Sequence, residues 1–147
     1  MNFKFVYKIC TKSEWHEIKS KGQLTGSKKD LEDGYVHFSG DDQVSRTLKK
    51  FYQNQKDLIL LKVDTLKLDH LVWEQASDGS MFPHLYSMLD ISNVVDEFEI
   101  TLNDDGSHNL PANLYGGHPF GKLQKSSPVS QRYTIKSIMD LYFICLF

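Results

Sequence analysis

Residues that could bind or transform a small molecule gather in three short segments of the chain. They are His37 and Ser39, then Glu74, then His84 and Tyr86. Each segment lies where a strand is predicted to end or the chain to turn, and binding sites are commonly built from such positions. Imidazole, hydroxyl and carboxylate groups can exchange protons, and aromatic rings can stack on planar ligands. These residue types indicate a site but do not specify a reaction.

The first segment predicts a short strand over residues 35–38. Side chains alternate between the faces of a strand, so Tyr35, His37 and Ser39 share one face. Hydrogen bonding to a ligand from that face is one interpretation. Two others stay open: His37 as a hydrogen-bonded core histidine, and Ser39 as the N-cap of the helix that follows.

The other two segments also allow two interpretations each. Pro83 favours an extended chain, so His84 and Tyr86 are expected to project alike and to suit stacking on a planar base. A packed turn, with Tyr86 in the core and His84 capping a backbone group, is the alternative. Glu74 ends a predicted strand, where it could serve a ligand, remain solvated or pair with a lysine.

Length and composition describe an ordinary globular chain. With 147 residues, of which 40% are hydrophobic and 24% charged, it fits one domain. The net charge of −2 and the lack of a basic stripe mean that nucleic acid is not an expected partner. The last apolar stretch, 138–147, is too short to span a membrane, and a cytoplasmic location is expected. Cys10 and Cys145 show no metal-ligand spacing, so no metal site is expected.

Short elements of both kinds alternate along the chain. A strand with alternating aromatic residues is predicted at 3–10, and a nearly unbroken apolar run predicts a strand at 58–63, buried on both faces. Thr11 and Glu14 form a capping-box pattern for a first helix, which Gly22 ends. Because strands and short helices mix without regular long crossovers, the predicted fold class is α+β.

Composition also predicts where the chain is irregular. Residues 26–34 are polar and are predicted to form a loop. After residue 102 glycine, proline, serine and asparagine become frequent and periodicity disappears. We therefore predict a globular domain over 1–102 and an irregular C-terminal tail over 103–147, whose last residues add little to the core.

Several runs occur with the order and gaps of a known family, DUF952. They are Val6-Tyr7-Lys8-Ile9, Trp15, Gly22, Tyr35-Val36-His37-Phe38-Ser39, Gln43-Val44, Asp57-Leu58-Ile59-Leu60-Leu61, Trp73-Glu74 and Phe82-Pro83-His84-Leu85-Tyr86. The chain resembles that family from residue 5 to about residue 100. Members look like the ADP-ribosyltransferase superfamily, so the resemblance implies two small, mostly antiparallel sheets split around a nucleotide cleft.

The resemblance also implies a ligand. A nucleotide-type small molecule, with NAD as the cofactor, would occupy the cleft. Separately, the net charge of −2 means that no membrane partner is expected. Lys8 would hold a ribose or phosphate, Ser39 would line the cleft, and His84 and Tyr86 would bind or stack on the cofactor.

The resemblance assigns the catalytic roles to Glu74 and His37. A fixed carboxylate near the scissile bond would stabilise the positive charge that develops on the sugar carbon. Together these roles imply an ADP-ribosyl or related NAD-dependent transferase.

Two positions depart from the patterns of active transferases. Lys8 stands where a histidine or arginine often occurs in the first strand, and Ser87 stands where a glycine often follows the tyrosine. Lysine is a point charge rather than a planar fork. Both departures favour the alternative of a non-catalytic nucleotide- or phosphate-binding module. A structural partner domain is a third interpretation.

Overall fold

The computed structural model describes residues 4–24 and 26–114. Two 3-10 turns, Thr65–Lys67 and Ile91–Asn93, accompany its strands and α-helices. In chain order the strands and helices are β1 (Phe5–Thr11), α1 (Lys12–Lys21), β2 (Gln23–Leu24), α2 (Lys28–Asp33), β3 (Val36–His37), α3 (Val44–Phe51), β4 (Leu58–Asp64), β5 (Leu71–Gln75), β6 (Met81–Leu85), β7 (Leu89–Asp90), β8 (Val94–Leu102) and β9 (His108–Asn109).

Within the described residues, these strands form three antiparallel sheets. Their orders are β1-β4-β8-β9, β2-β7 and β3-β6-β5. Several small antiparallel sheets with a few short helices are what the predicted α+β class requires. Within the described residues, no helix has the length and apolar character needed to cross a membrane.

Strand β4 lies inside the largest sheet and separates two hydrophobic cores. Leu58 and Leu60 point into one core, which α3 covers, and Leu61 and Val63 point into the other, which α1 covers. These four side chains are fully buried, and burying each stabilises the fold by about 1.5–3 kcal/mol. The prediction of a strand buried on both faces is confirmed.

Local signals account for α1. The Oγ1 atom of Thr11 accepts a hydrogen bond from the backbone N–H of Glu14 at 3.0 Å, and the Glu14 carboxylate accepts one from the Thr11 N–H at 2.7 Å. Gly22 ends the helix in the left-handed conformation, with φ of 78°. The predicted capping box and glycine stop are both confirmed.

The loop predicted at 26–34 is wrong, because residues 28–33 form α2. Ser27 caps this helix and exchanges reciprocal hydrogen bonds with Asp30, and Gly34 ends it with φ of 85°. The helix lacks an apolar stripe, since its buried residue is Asp30 rather than a hydrophobic one. A search for hydrophobic periodicity therefore does not detect it, although the Ser-x-x-Asp spacing of its cap is visible in the sequence.

Strand β6 was predicted only as an extended segment. It forms the middle of the three-stranded sheet although it contains Pro83, which has no N–H to donate. The Pro83 carbonyl still accepts a hydrogen bond from the backbone N–H of Phe38 at 3.0 Å. The sheet therefore tolerates the proline, because pairing continues on both sides of it.

The compact unit extends to Leu114, beyond the boundary predicted after residue 102. Strand β9 pairs with the end of β8, with Thr101 opposite Asn109. Leu114 is only 1% exposed and packs in the core beneath α3. The predicted boundary therefore falls inside a hairpin. Residues 115–147, the rest of the predicted tail, lie outside the described residues.

Candidate ligand-binding cleft

A cleft of about 640 Å³ opens where two sheets meet. Strand β1 is an edge of the four-stranded sheet, and β3 is an edge of the three-stranded sheet. The backbones of Tyr7 and Ser39 exchange two hydrogen bonds of 2.8 Å and join these edges. Side chains from α2, α3 and β6 complete the walls.

The outer face of the three-stranded sheet carries the aromatic and titratable side chains. In β3 and its flanks, Val36 and Phe38 are buried, whereas Tyr35, His37 and Ser39 line the cleft. The predicted alternation is therefore observed. In the sheet, His37 lies directly opposite a residue of β6, His84, and their ring centroids are 5.5 Å apart.

Asp30 is a buried carboxylate in the cleft lining, and Lys8, Ser27 and His37 all contact it. Its Oδ2 atom lies 2.9 Å from the Lys8 ammonium and 2.8 Å from the backbone nitrogen of Ser27. Its Oδ1 atom accepts hydrogen bonds from the His37 backbone nitrogen at 3.1 Å and from ring atom Nδ1 at 2.6 Å. Asp30 is thus held by four donors from β1, β3 and its own helix cap.

These donors decide the charge of Asp30. Burial alone would raise its pKa, but the hydrogen bond from His37 and the positive charge of Lys8 outweigh burial and hold the pKa well below its usual range. Asp30 is therefore an anion at neutral pH. Sequence analysis did not select it, and the cap spacing Ser27-x-x-Asp30 is the signal that marks it.

Lys8 is part of this ion pair rather than a free ligand-binding cation. The side chain is 5% exposed, and although it borders the cleft, its Nζ atom contacts Asp30. The role expected from the resemblance, holding a ribose or phosphate, would require this ammonium group to contact a second anion while still paired.

His37 combines two of the interpretations offered by the sequence. Its ring nitrogens contact two carboxylates, Asp30 at 2.6 Å and Asp33 at 2.9 Å. Both contacts are hydrogen bonds only when both nitrogens carry a proton. The side chain is 30% exposed and borders the cleft, so His37 is both hydrogen-bonded and accessible.

Ser39 does not cap the following helix. Helix α3 has Gln43 as its N-cap residue, with no side-chain cap bond. The Ser39 hydroxyl instead lies 2.9 Å from the Thr47 hydroxyl, which donates to the Gln43 carbonyl at 3.0 Å. The capping interpretation is wrong, and Ser39 lies on the buried floor of the cleft.

Glu74, His84 and Tyr86 form a second hydrogen-bonded group. One carboxylate oxygen of Glu74 lies 2.7 Å from His84 Nδ1 and accepts the Tyr86 hydroxyl proton at 2.6 Å. The hydrogen bonds from Tyr86 and His84 lower the pKa of Glu74. The same bond raises the pKa of Tyr86 to about 12, because the phenol donates to an anion.

Tyr35 links the two hydrogen-bonded groups. Its ring stacks on His84 with centroids 4.1 Å apart, and it lies 4.7 Å from the His37 ring and 5.2 Å from the Tyr86 ring. The sequence placed Tyr35 on the correct face but assigned it no role. The structure brings His37, His84 and Tyr86 together around it.

Not all the predicted residues border the cleft. Lys8, Ser39, His37 and His84 line it, whereas Glu74 and Tyr86 are not among its lining residues. Glu74 is connected to the cleft through its contact with His84, which lines it.

Helix α3 supplies a cationic and aromatic wall that sequence analysis did not identify. The guanidinium of Arg46 lies over the Phe82 ring at 5.6 Å and bonds to Asp78 at 2.8 Å. Lys50 and Phe51 also line the cleft. Lys50 forms no ion pair with any residue of the described segments.

Metal binding has no structural support in this part of the chain. Among residues 4–24 and 26–114, no group of three or more histidine, cysteine, aspartate or glutamate side chains is placed to hold a metal ion.

The fold is that of a small mixed α/β domain with several antiparallel sheets and a few short helices. The chain belongs to the DUF952 family, described as a protein of unknown function, whose family model matches residues 9–97. No curated protein is significantly similar to the chain.

Solved structures of one relative show the same fold. A crystal structure of protein CC0527 from Caulobacter crescentus is 38% identical, with a TM-score of 0.71 over 76% of this chain and 98% of that one. A solution NMR structure of CC0527 gives 38% identity and a TM-score of 0.65, over 71% of this chain and 91% of that one.

Proposed function

We propose that the cleft binds an anionic nucleotide-type ligand, with NAD as the first candidate. The observation that carries the proposal is the composition of one connected cavity. Its lining contains four lysine or arginine residues beside several aromatic rings. Lys8, Lys29 and Arg46 are each paired with an aspartate, whereas Lys50 has no ion pair within the described residues. Lys50 offers a cation for phosphate, and the aromatic rings offer faces for a planar base.

ADP-ribosyl transfer from NAD is the reaction we propose for this cleft. The resemblance to the ADP-ribosyltransferase superfamily supports it, as does the meeting of two antiparallel sheets at the Tyr7–Ser39 junction. In the reaction the bond between the ribose carbon and nicotinamide breaks, nicotinamide leaves with the electron pair, and an acceptor oxygen bonds to the carbon. Glu74 is anionic at neutral pH and contacts His84, a residue of the cleft lining. In this reaction its carboxylate would stabilise the positive charge that develops on the ribose carbon.

Calorimetric titration with NAD tests the binding step. We expect Lys50→Gln to weaken NAD binding by about tenfold or more, because a hydrogen bond to a charged group contributes about 1.5–3 kcal/mol. Lys49→Gln is the matched control, since it removes the same charge from the same helix at a residue outside the cleft lining. Absence of binding at millimolar NAD would remove the proposal.

Release of nicotinamide tests the reaction. Incubation with NAD, with water as acceptor, should liberate nicotinamide, which chromatography detects. Glu74→Gln should reduce the rate strongly while NAD binding persists. Binding without release would favour the alternative of a non-catalytic module.

The non-catalytic alternative has its own structural support. Lys8 occupies the position where transferases often carry histidine or arginine, and its ammonium group is already paired with Asp30. Glu74 also lies behind His84 rather than on the cleft lining. If the domain is only a structural partner, His37→Ala and Glu74→Ala should alter stability and nothing else.

A further inference from the structure

His84 occupies a position in which one ring nitrogen is held and the other is available. The residue lies in β6, the middle strand of its sheet, and its side chain is 13% exposed. Stacking against Tyr35 fixes the plane of the ring, and the contact with Glu74 fixes its rotation. His84 also borders the cleft.

The contact with Glu74 determines the tautomer of the ring. A carboxylate can only accept a hydrogen bond, and the lowered pKa of Glu74 keeps it ionised at neutral pH. Nδ1 of His84 must therefore carry a proton at its 2.7 Å contact with Glu74. In the neutral ring, the lone pair is then on Nε2.

The second nitrogen is not engaged elsewhere in the described part of the chain. Nε2 of His84 forms no hydrogen bond with residues 4–24 or 26–114, whereas both nitrogens of His37 contact carboxylates. The two histidines that face each other across the strands therefore differ in chemistry. Both ring nitrogens of His37 face carboxylates, whereas His84 has one nitrogen, Nε2, that faces none within the described residues.

We propose that Nε2 of His84 is the proton acceptor of the cleft and takes the proton of a ligand or acceptor hydroxyl. Glu74 is its positioning residue, and Tyr86 holds the Glu74 carboxylate from the other side. The proposal rests on the proposed function, because a nucleotide supplies ribose hydroxyls to this nitrogen. It moves Glu74 from direct contact with the sugar to a place behind the histidine.

In the transfer step the reacting hydroxyl belongs to the acceptor, for example water. Its proton passes to Nε2, its oxygen forms the new bond to the ribose carbon, and nicotinamide leaves with the electrons of the broken bond. The imidazolium that results is stabilised by the Glu74 carboxylate beside Nδ1.

Long-range ¹H–¹⁵N NMR of the full chain tests the tautomer without any ligand. In its neutral form, the His84 ring should show a protonated Nδ1 and an unprotonated Nε2. Glu74→Gln should mix the two tautomers, because an amide can donate as well as accept. Glu99→Gln, a surface glutamate that pairs with Lys12, should leave them unchanged. A protonated Nε2 in the wild type, or no response to Glu74→Gln, would overturn the proposal.

Titration with AMP tests the acceptor role. AMP should shift the Nε2 resonance, and His84→Phe, which keeps a ring to stack on Tyr35, should weaken AMP binding by about tenfold. AMP that binds without moving the Nε2 resonance would overturn this inference alone. No binding of AMP or NAD would overturn the proposed function and the inference with it.

Discussion

The Asp30 carboxylate lies 2.9 Å from the Lys8 ammonium, and the two side chains are 1% and 5% exposed. The two opposite charges are therefore buried as a pair, and Asp30 also accepts hydrogen bonds from His37 and Ser27. Removing one partner of a buried pair leaves the other uncompensated, which costs more than the pair contributes. This relationship makes Asp30 the residue on which one wall of the cleft depends.

We expect Asp30→Ala to lower the free energy of unfolding by about 3–5 kcal/mol, because Lys8 would be left buried and unpaired. Urea denaturation followed by tryptophan fluorescence measures the loss. Glu32→Ala, an exposed change on the same helix, is the control and should stay within about 0.5 kcal/mol of wild type. A loss below about 1 kcal/mol for Asp30→Ala would show that water or another polar group solvates the Lys8 ammonium in the variant.

Asp30 should also shape the acid limb of the stability curve. Its pKa is lower in the folded protein than in the unfolded chain, so its stabilising contribution is present above the unfolded pKa of about 3.9. The contribution is lost as pH falls below that value toward the folded pKa. Denaturation midpoints below about pH 5 should therefore fall more steeply for the wild type than for Asp30→Asn. Parallel curves would contradict the lowered pKa.

Gly26 is expected to resist substitution because of Asp30. It has φ of +122°, and a Cβ atom there would lie 2.7 Å from the Asp30 Cβ. Gly26→Ala should therefore cost more than Gly79→Ala, which has φ of +87° but meets only a flexible glutamine at 3.8 Å. We expect a difference of about 1–3 kcal/mol in unfolding free energy. Equal losses of unfolding free energy in the two variants would mean that α2 moves to make room for the new Cβ atom at little cost.

Tyr86→Phe should raise the pKa of Glu74 toward its ordinary value, because the largest lowering influence is the Tyr86 hydroxyl. A ¹³C NMR titration of the Glu74 carboxylate measures this. Tyr35→Phe keeps the stacked ring and removes a hydroxyl that does not bond to Glu74, so it should leave that titration in place. An unchanged pKa in Tyr86→Phe would show that His84 alone holds the carboxylate.

Leu114→Ala should cost about 2–5 kcal/mol in the full chain, because the side chain is buried beneath α3. Leu66→Ala, at a residue 85% exposed, is the matched control and should be nearly neutral. Calorimetric melting compares the two variants. If Leu114→Ala left the melting temperature unchanged, Leu114 would not contribute to the core, and the result would support the boundary predicted after residue 102.

Local sequence determined the elements whose signals are short in range. The capping box of Thr11 and Glu14 and the stop at Gly22 act within one or two helical turns, so they can be read directly. The apolar run of β4 predicts burial on both faces because the hydrophobic effect depends on composition more than on partners. The alternation of His37 and Ser39 onto one face follows from strand geometry alone.

Tertiary structure alone decided which of those side chains meet. Lys8 and Asp30 are 22 positions apart, and no periodicity connects them; β1 and α2 bring them together in the fold. Glu74 reaches His84 only because β5 and β6 pair antiparallel, with Glu74 opposite Phe82. These distances in space decide which groups are charged, paired or available. Charges and hydrogen-bonding groups interact according to their separation and burial, and their spacing along the chain does not fix either quantity.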